Sequence, residues 1–125
     1  MFSSQTVFSL PGGGDSLRDS FASRAPDVAW VELFKWEGLS QEQREGFPPI
    51  CPDFLIELRS RTDRLKPLQN KMREYLASGL RLGWLINYQD KQVEIYRMGQ
   101  EVEVVGIPVI LSGEDVLLGF SLEVS

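Results

Sequence analysis

The run Phe54-Leu55-Ile56-Glu57-Leu58 constrains the fold more than any other feature of this sequence. It is apolar at every position but one, so it reads as a central strand covered on both faces. A glutamate inside such a strand is unfavourable unless it is paired or binds a metal, and Glu57 therefore demands an explanation. The best helix follows: Leu65, Leu68, Met72, Tyr75 and Leu76 form one apolar stripe. Pro67 suits its first turn, Thr62 or Asp63 lies near its cap, and Gly79 stops it where a left-handed residue is needed. Leu82-Gly83-Trp84-Leu85-Ile86 is the next buried strand. Asp90-Lys91 then marks a hairpin turn into Gln92-Val93-Glu94-Ile95-Tyr96, which alternates as a half-exposed strand. Val102–Ile110 gives one or two further strands, and Leu117-Leu118-Gly119-Phe120 an apolar tail.

Upstream the signals are weaker. Residues 1–25 read as a loose N-terminal strand and connection, with a turn at Gly12-Gly13-Gly14. That triplet lacks the Gly-Lys-Ser/Thr that a phosphate loop requires. Val28-Ala29-Trp30-Val31 is a short strand introduced by Pro26-Asp27. Residues 38–47 hold a short helix capped by Ser40 and ended by Pro48-Pro49. This order predicts a mixed α/β fold (α+β, with a mixed sheet) in a single domain over residues 1–125, a long helix lying on a central β-sheet.

Composition removes whole classes of chemistry. The chain has no histidine, so His-based triads, His general bases and His-ligated zinc or haem are excluded. Its one cysteine, Cys51, excludes an intrachain disulfide and a C-x-x-C pair. Oxygen ligands remain, and with them the hard cations that carboxylates prefer. No run of about 18 apolar residues is present and the start has no signal-peptide pattern, so a cytoplasmic protein without a membrane span is expected. The net charge of −5 argues against a nucleic-acid partner, but its distribution does not. From Arg59 to Arg81 there are 7 basic residues against Asp63 and Glu74, so this segment carries +5 and the remainder −10. Such a run is either a solvated face or a set of phosphate contacts.

Alternation puts Asp53, Leu55, Glu57 and Arg59 on one face of the central strand. If the Val28 and Leu55 strands are antiparallel neighbours, Asp27 approaches Glu57, and two carboxylates from adjacent strands suit Mg2+ or Mn2+. Asp53 is about 13 Å from Glu57 along the strand and is expected to cap the loop or reach a neighbour rather than join the same ion. Lys71 flanks the helical stripe and can lean towards the strand carboxylates. There it would either orient an attacking water and offset charge on a phosphate, or form an internal salt bridge with Glu57 and no chemistry.

Four stretches in order carry a resemblance: Ala25-Pro26-Asp27-Val28-Ala29-Trp30-Val31, then Pro52-Asp53-Phe54-Leu55-Ile56-Glu57-Leu58-Arg59-Ser60, then Lys71-Met72-Arg73-Glu74-Tyr75, then Leu82-Gly83-Trp84-Leu85-Ile86. Over roughly residues 8–122 the chain resembles the Uma-type restriction-endonuclease family, abundant in cyanobacteria, of the PD-(D/E)XK nuclease superfamily. The resemblance implies a restriction-endonuclease-like core and Mg2+-dependent cleavage of DNA phosphodiesters. It implies a metal-binding pair at Asp27 and Glu57, a catalytic set of Asp27, Asp53, Glu57 and Lys71, and a lysine that has moved from the strand to the helix at Lys71. Arg59 falls at the superfamily's lysine position. Arg59, Arg61, Arg64 and Arg73 are the expected DNA contacts.

Family members carry a further N-terminal region with another glutamate, and this chain starts just before the Pro-Asp strand. The alternative to an endonuclease is therefore a truncated, inactive interaction module of the same fold, which a cation response in thermal melting would argue against. A sheet face left open by that shortening would make a homodimer the expected assembly.

Overall fold

A computed structural model describes residues 2–3, 8–11, 21–24, 27–45 and 50–125. In chain order the elements are β1 (Phe2–Ser3), β2 (Phe8–Pro11), β3 (Phe21–Arg24), β4 (Val28–Trp30), α1 (Leu33–Glu37) and α2 (Gln41–Glu45). There follow β5 (Phe54–Leu58), α3 (Leu65–Ala77), β6 (Leu82–Asn87), β7 (Gln92–Arg97), β8 (Glu103–Gly106), β9 (Val109–Ser112) and β10 (Ser121–Val124). A 6-stranded sheet runs β1-β4-β5-β6-β7-β8. Among the described residues, β5 and β6 alone pair in parallel; their neighbours on either side are antiparallel, so the sheet is mixed. A parallel pair needs a long crossover, and α3 supplies it.

The near-continuous hydrophobicity of β5 and β6 follows from their central position. On one face Leu55, Leu85, Tyr96 and Ala29 pack with Met72 and Tyr75 of α3. On the other, Phe54, Ile56, Trp84 and Ile95 pack with Leu111, Leu117 and Val124 from the C-terminal part of the chain. Phe54 meets Trp84 edge-on at 4.8 Å, and Phe120 stacks on Trp84 at 6.2 Å. On this second face Phe54 and Ile56 are buried and Val28 and Trp30 half-buried. At Gly83 the side chains of the helix side press directly on the backbone of β6. A Cβ at that position would come within 2.8 Å of both Leu80 and Met72, so glycine lets α3 close onto the sheet. Gly79 takes a φ of +115° just after α3, and Leu80 N–H donates to Tyr75 O at 3.0 Å to finish the helix.

Several elements differ from the expectation. The stretch read as loose contains β2 and β3, paired antiparallel from Phe8↔Arg24 to Pro11↔Phe21, and β1 pairs with β4. Two-residue and four-residue strands rely on their partners, which a single-sequence pattern does not show. The Gly12-Gly13-Gly14 turn and the Pro48-Pro49 stop lie outside the described residues. The predicted helix at 38–47 is shorter, at Gln41–Glu45, and a separate α1 precedes it. Ser40 does cap it: Ser40 Oγ accepts from Gln43 N–H at 3.1 Å while Gln43 Oε1 accepts from Ser40 N–H at 2.9 Å. Asp63 directly precedes the α3 cap position, held by Arg64, and its Oδ2 accepts from Ser60 N–H at 2.9 Å rather than from the helix. The apolar tail is a turn, with Leu117 buried and Leu118 85% exposed, that leads into β10. Among the described residues no helix is long and apolar enough to cross a membrane.

Candidate active site

The β4–β5 register pairs Val28 with Ile56 and Ala29 with Leu55, so one step further Asp27 faces Glu57. Asp27 Oδ2 accepts the Leu58 N–H at 2.7 Å, which fixes its carboxylate at the end of β5. Glu57 is 3% exposed, and Lys71 Nζ from the second turn of α3 lies 2.9 Å from its Oε1. Three charged groups from two adjacent strands and the covering helix thus converge at the carboxyl end of β5.

Burial pushes the Glu57 carboxyl up from 4.5 to about 7; the Lys71 ammonium opposes this, and the Asp27 carboxylate adds to it by repulsion and hydrogen bonding. A carboxyl raised in the folded state binds its proton more tightly than in the unfolded chain. Its contribution to stability is full below 4.5 and is lost as pH rises through about 7. The metal-free protein should therefore lose stability relative to Glu57→Gln between pH 5 and pH 8, by on the order of 3 kcal/mol. Urea melts of both proteins at the two pH values measure this, and a constant difference between them would contradict it.

The donor set suits a hard divalent cation. Mg2+ accepts one or two carboxylates and completes its shell with water and substrate phosphate. Asp27 and Glu57 offer that number of carboxylates, and a cation between them would relieve their mutual repulsion. Among the described residues no group of three potential ligands is assembled, so a closed protein cage is not what this site offers.

The structure does not bring Asp53 to this cluster. Asp53 is fully buried at the opposite end of β5, where Oδ1 meets Lys35 Nζ at 2.7 Å and Oδ2 accepts Glu32 N–H at 3.0 Å. Arg59 is occupied as well: its guanidinium reaches Asp90 at 3.0 Å, Asn87 at 3.3 Å and the Asp63 carbonyl at 3.1 Å. It ties the loop after β5 to the β6–β7 turn rather than facing outward. Arg61 and Arg64 are exposed on that same loop, at the end of the sheet where Glu57 lies. Arg73 is exposed on α3 beside Asn70, and Arg81 belongs to the far end, paired with Glu32 at 2.8 Å. Cys51 is buried, and burial pushes its thiol up to about 12, so it is no nucleophile.

One buried polar group escapes a reading of the sequence. Alternation predicts that Glu94 in β7 faces solvent, yet it is 4% exposed, because its face is the one α3 covers. Gln69 Nε2 donates to both Glu94 oxygens at 3.1 Å, and Tyr96 OH donates to Oε1 at 2.9 Å. The available signal is phase: Glu94 and Tyr96 lie on the same face as Glu57 once the strands are in register.

The mixed sheet with α3 laid across its central strands is a restriction-endonuclease-like fold. The chain belongs to the Uma2 family, described as "putative restriction endonuclease", which it matches over residues 2–125. Its fold is also that of a crystal structure described as a putative nuclease belonging to DUF820 from Anabaena variabilis, with a TM-score of 0.71 at 20% identity. The match covers 98% of this chain and 64% of that one, so the present chain spans only part of its length. No curated protein matches the chain.

Proposed function

We propose that this protein is a metal-dependent endonuclease that hydrolyses DNA phosphodiester bonds, with Mg2+ or Mn2+ held by Asp27 and Glu57. The observation that carries the reading is the convergence of Asp27, Glu57 and Lys71, with Lys71 Nζ 2.9 Å from Glu57 at the end of a buried strand. Isolated surface ion pairs need no such arrangement, and a buried glutamate beside a second carboxylate is unfavourable without a ligand to justify it. A divalent ion held by these two carboxylates would supply Lewis acidity. Asp27, fixed by the Leu58 N–H, and Glu57, held beside Lys71, would be its carboxylate ligands at this end of β5. From its place beside Glu57, the Lys71 ammonium could face the phosphate or the attacking water and offset charge that builds there.

Arg61 and Arg64 flank this end of the sheet and carry no ion pair among the described residues, which suits them to the DNA backbone. The expected result is nicking of supercoiled plasmid in Mn2+ or Mg2+ and none in EDTA; cleavage unaffected by EDTA would contradict the reading. Binding of a DNA duplex should weaken steeply with salt. Replacing Arg61 and Arg64 with Ala should flatten that dependence by about 0.9 in slope for each phosphate no longer neutralised, alike on all sequences. Equal slopes for the two proteins, read by fluorescence anisotropy, would remove these arginines from the DNA interface.

A further inference from the structure

Two polar contacts hold α3 to the sheet, one on each flank of its apolar stripe. Glu57, Leu85 and Glu94 stand in one cross-strand row, through the pairs Glu57↔Leu85 and Leu85↔Glu94. Two strand spacings put the outer carboxylates about 10 Å apart, close to the width of a helix. Lys71 and Gln69 differ by two residues, or about 200° around the helix, so they descend on opposite sides of it. Lys71 reaches Glu57 at 2.9 Å on the β5 side, and Gln69 reaches both oxygens of Glu94 at 3.1 Å on the β7 side. Between them Met72 and Tyr75 are fully buried, and they lie with Leu85 in the same core cluster. Apolar side chains resist separation from the sheet, but their contacts are non-directional and define the roll of a helix about its axis poorly. Hydrogen bonds are directional. Glu94 is itself oriented by the Tyr96 hydroxyl at 2.9 Å, so the Gln69 contact is a fixed point on the sheet and not a loose surface pair.

We propose that Gln69 and Glu94 are positioning residues: by locking the roll of α3 from its far flank, they hold Lys71 against Glu57. The lock itself follows from the contacts, and its relevance to catalysis rests on the nuclease reading given above. Without it α3 would turn by a few degrees around its stripe. The Lys71 ammonium, at the end of a four-carbon arm, would then spend more time in water.

The test reads Lys71 directly and needs no activity. Lysine amines are acylated in proportion to their access and freedom, and this chain has 4 lysines: Lys35, Lys66, Lys71 and Lys91. Limited labelling with an amine-acylating ester, followed by peptide mass spectrometry, gives the Lys71 rate relative to exposed Lys66 on the same helix. Lys35, paired with Asp53 at 2.7 Å away from α3, reports general loosening. In Gln69→Leu the Lys71 to Lys66 ratio should rise several-fold with Lys35 unchanged. Glu94→Leu should do the same, while Glu94→Gln, whose amide oxygen still accepts from Gln69 and Tyr96, should restore a ratio near that of the parent. An unchanged ratio in either folded leucine variant, or Lys35 rising in step with Lys71, overturns the proposal. Should one leucine variant fail to fold, the other decides. Adding Mn2+ to the parent separates the two claims: no change in Lys71 labelling counts against the metal site alone, and the variant ratios still judge the lock.

Discussion

Asp27→Asn should abolish cation-dependent cleavage, lowering the rate by at least about 10^3-fold, the equivalent of ~4 kcal/mol of transition-state stabilisation. The substitution is nearly isosteric, and the amide oxygen can still accept the Leu58 N–H that Asp27 Oδ2 now accepts at 2.7 Å. The fold should therefore survive, and the metal-free variant should be no less stable than the parent, because the charge beside Glu57 is removed. What disappears is one of the two carboxylates facing each other across β4 and β5. Plasmid nicking under saturating Mn2+ measures the effect. A variant that retains more than a tenth of the parent rate would show that Asp27 does not act at the reacting phosphate.

Asp53→Ala should instead act on stability, by about 3 kcal/mol, while leaving the cation response intact. Asp53 is fully buried and holds Lys35 Nζ and the Glu32 N–H, with Arg81 Nη1 a further 3.9 Å away. Its backbone also accepts from the N–H groups of Arg81 and Leu82, so this residue joins the start of β6 to the start of α1. Alanine leaves a buried N–H without its acceptor and a half-buried ammonium without its carboxylate. Urea denaturation gives the loss in stability. A folded variant within 1 kcal/mol of the parent, or one that no longer responds to Mn2+, would contradict this division of labour between the ends of β5.

That division explains how far the sequence can be read. The strand at Phe54–Leu58, the helical stripe of α3 and the strand at Leu82 are legible because burial on both faces leaves an uninterrupted apolar record. The approach of Asp27 to Glu57 is legible because each of the two short strands opens on a Pro-Asp step, and antiparallel pairing brings the start of one to the end of the other. Asp53 is legible as an acid on the same face as Glu57 but too far along the strand to share its ion. Lys71 is legible as a partner of Glu57 from its place beside the helical stripe, whereas the partner of Asp53, Lys35, stands 18 residues upstream and is not written in local spacing. Arg59 is misleading for a similar reason. Charge counting treats all basic residues between Arg59 and Arg81 alike, whereas Arg59 and Arg81 are occupied by Asp90 and Glu32 and only part of the segment faces outward. Glu94 escapes because alternation distinguishes two faces of a strand without saying which is covered.

The central claim is that the Asp27–Glu57 pair is a cation site and not a structural salt bridge with Lys71. Thermal melting of the parent and of Glu57→Gln at pH 8, each with and without Mn2+, tests it most directly. Binding to the folded state alone raises stability by RT ln(1 + [L]/Kd), so Mn2+ should raise the parent's Tm, by an increment that grows with cation concentration. Glu57→Gln should melt higher than the parent without metal, because its buried charge and its repulsion with Asp27 are gone, and should show little or no response to Mn2+. A parent blind to Mn2+ together with a destabilised Glu57→Gln would mean that Glu57 serves Lys71 alone, and would contradict the account.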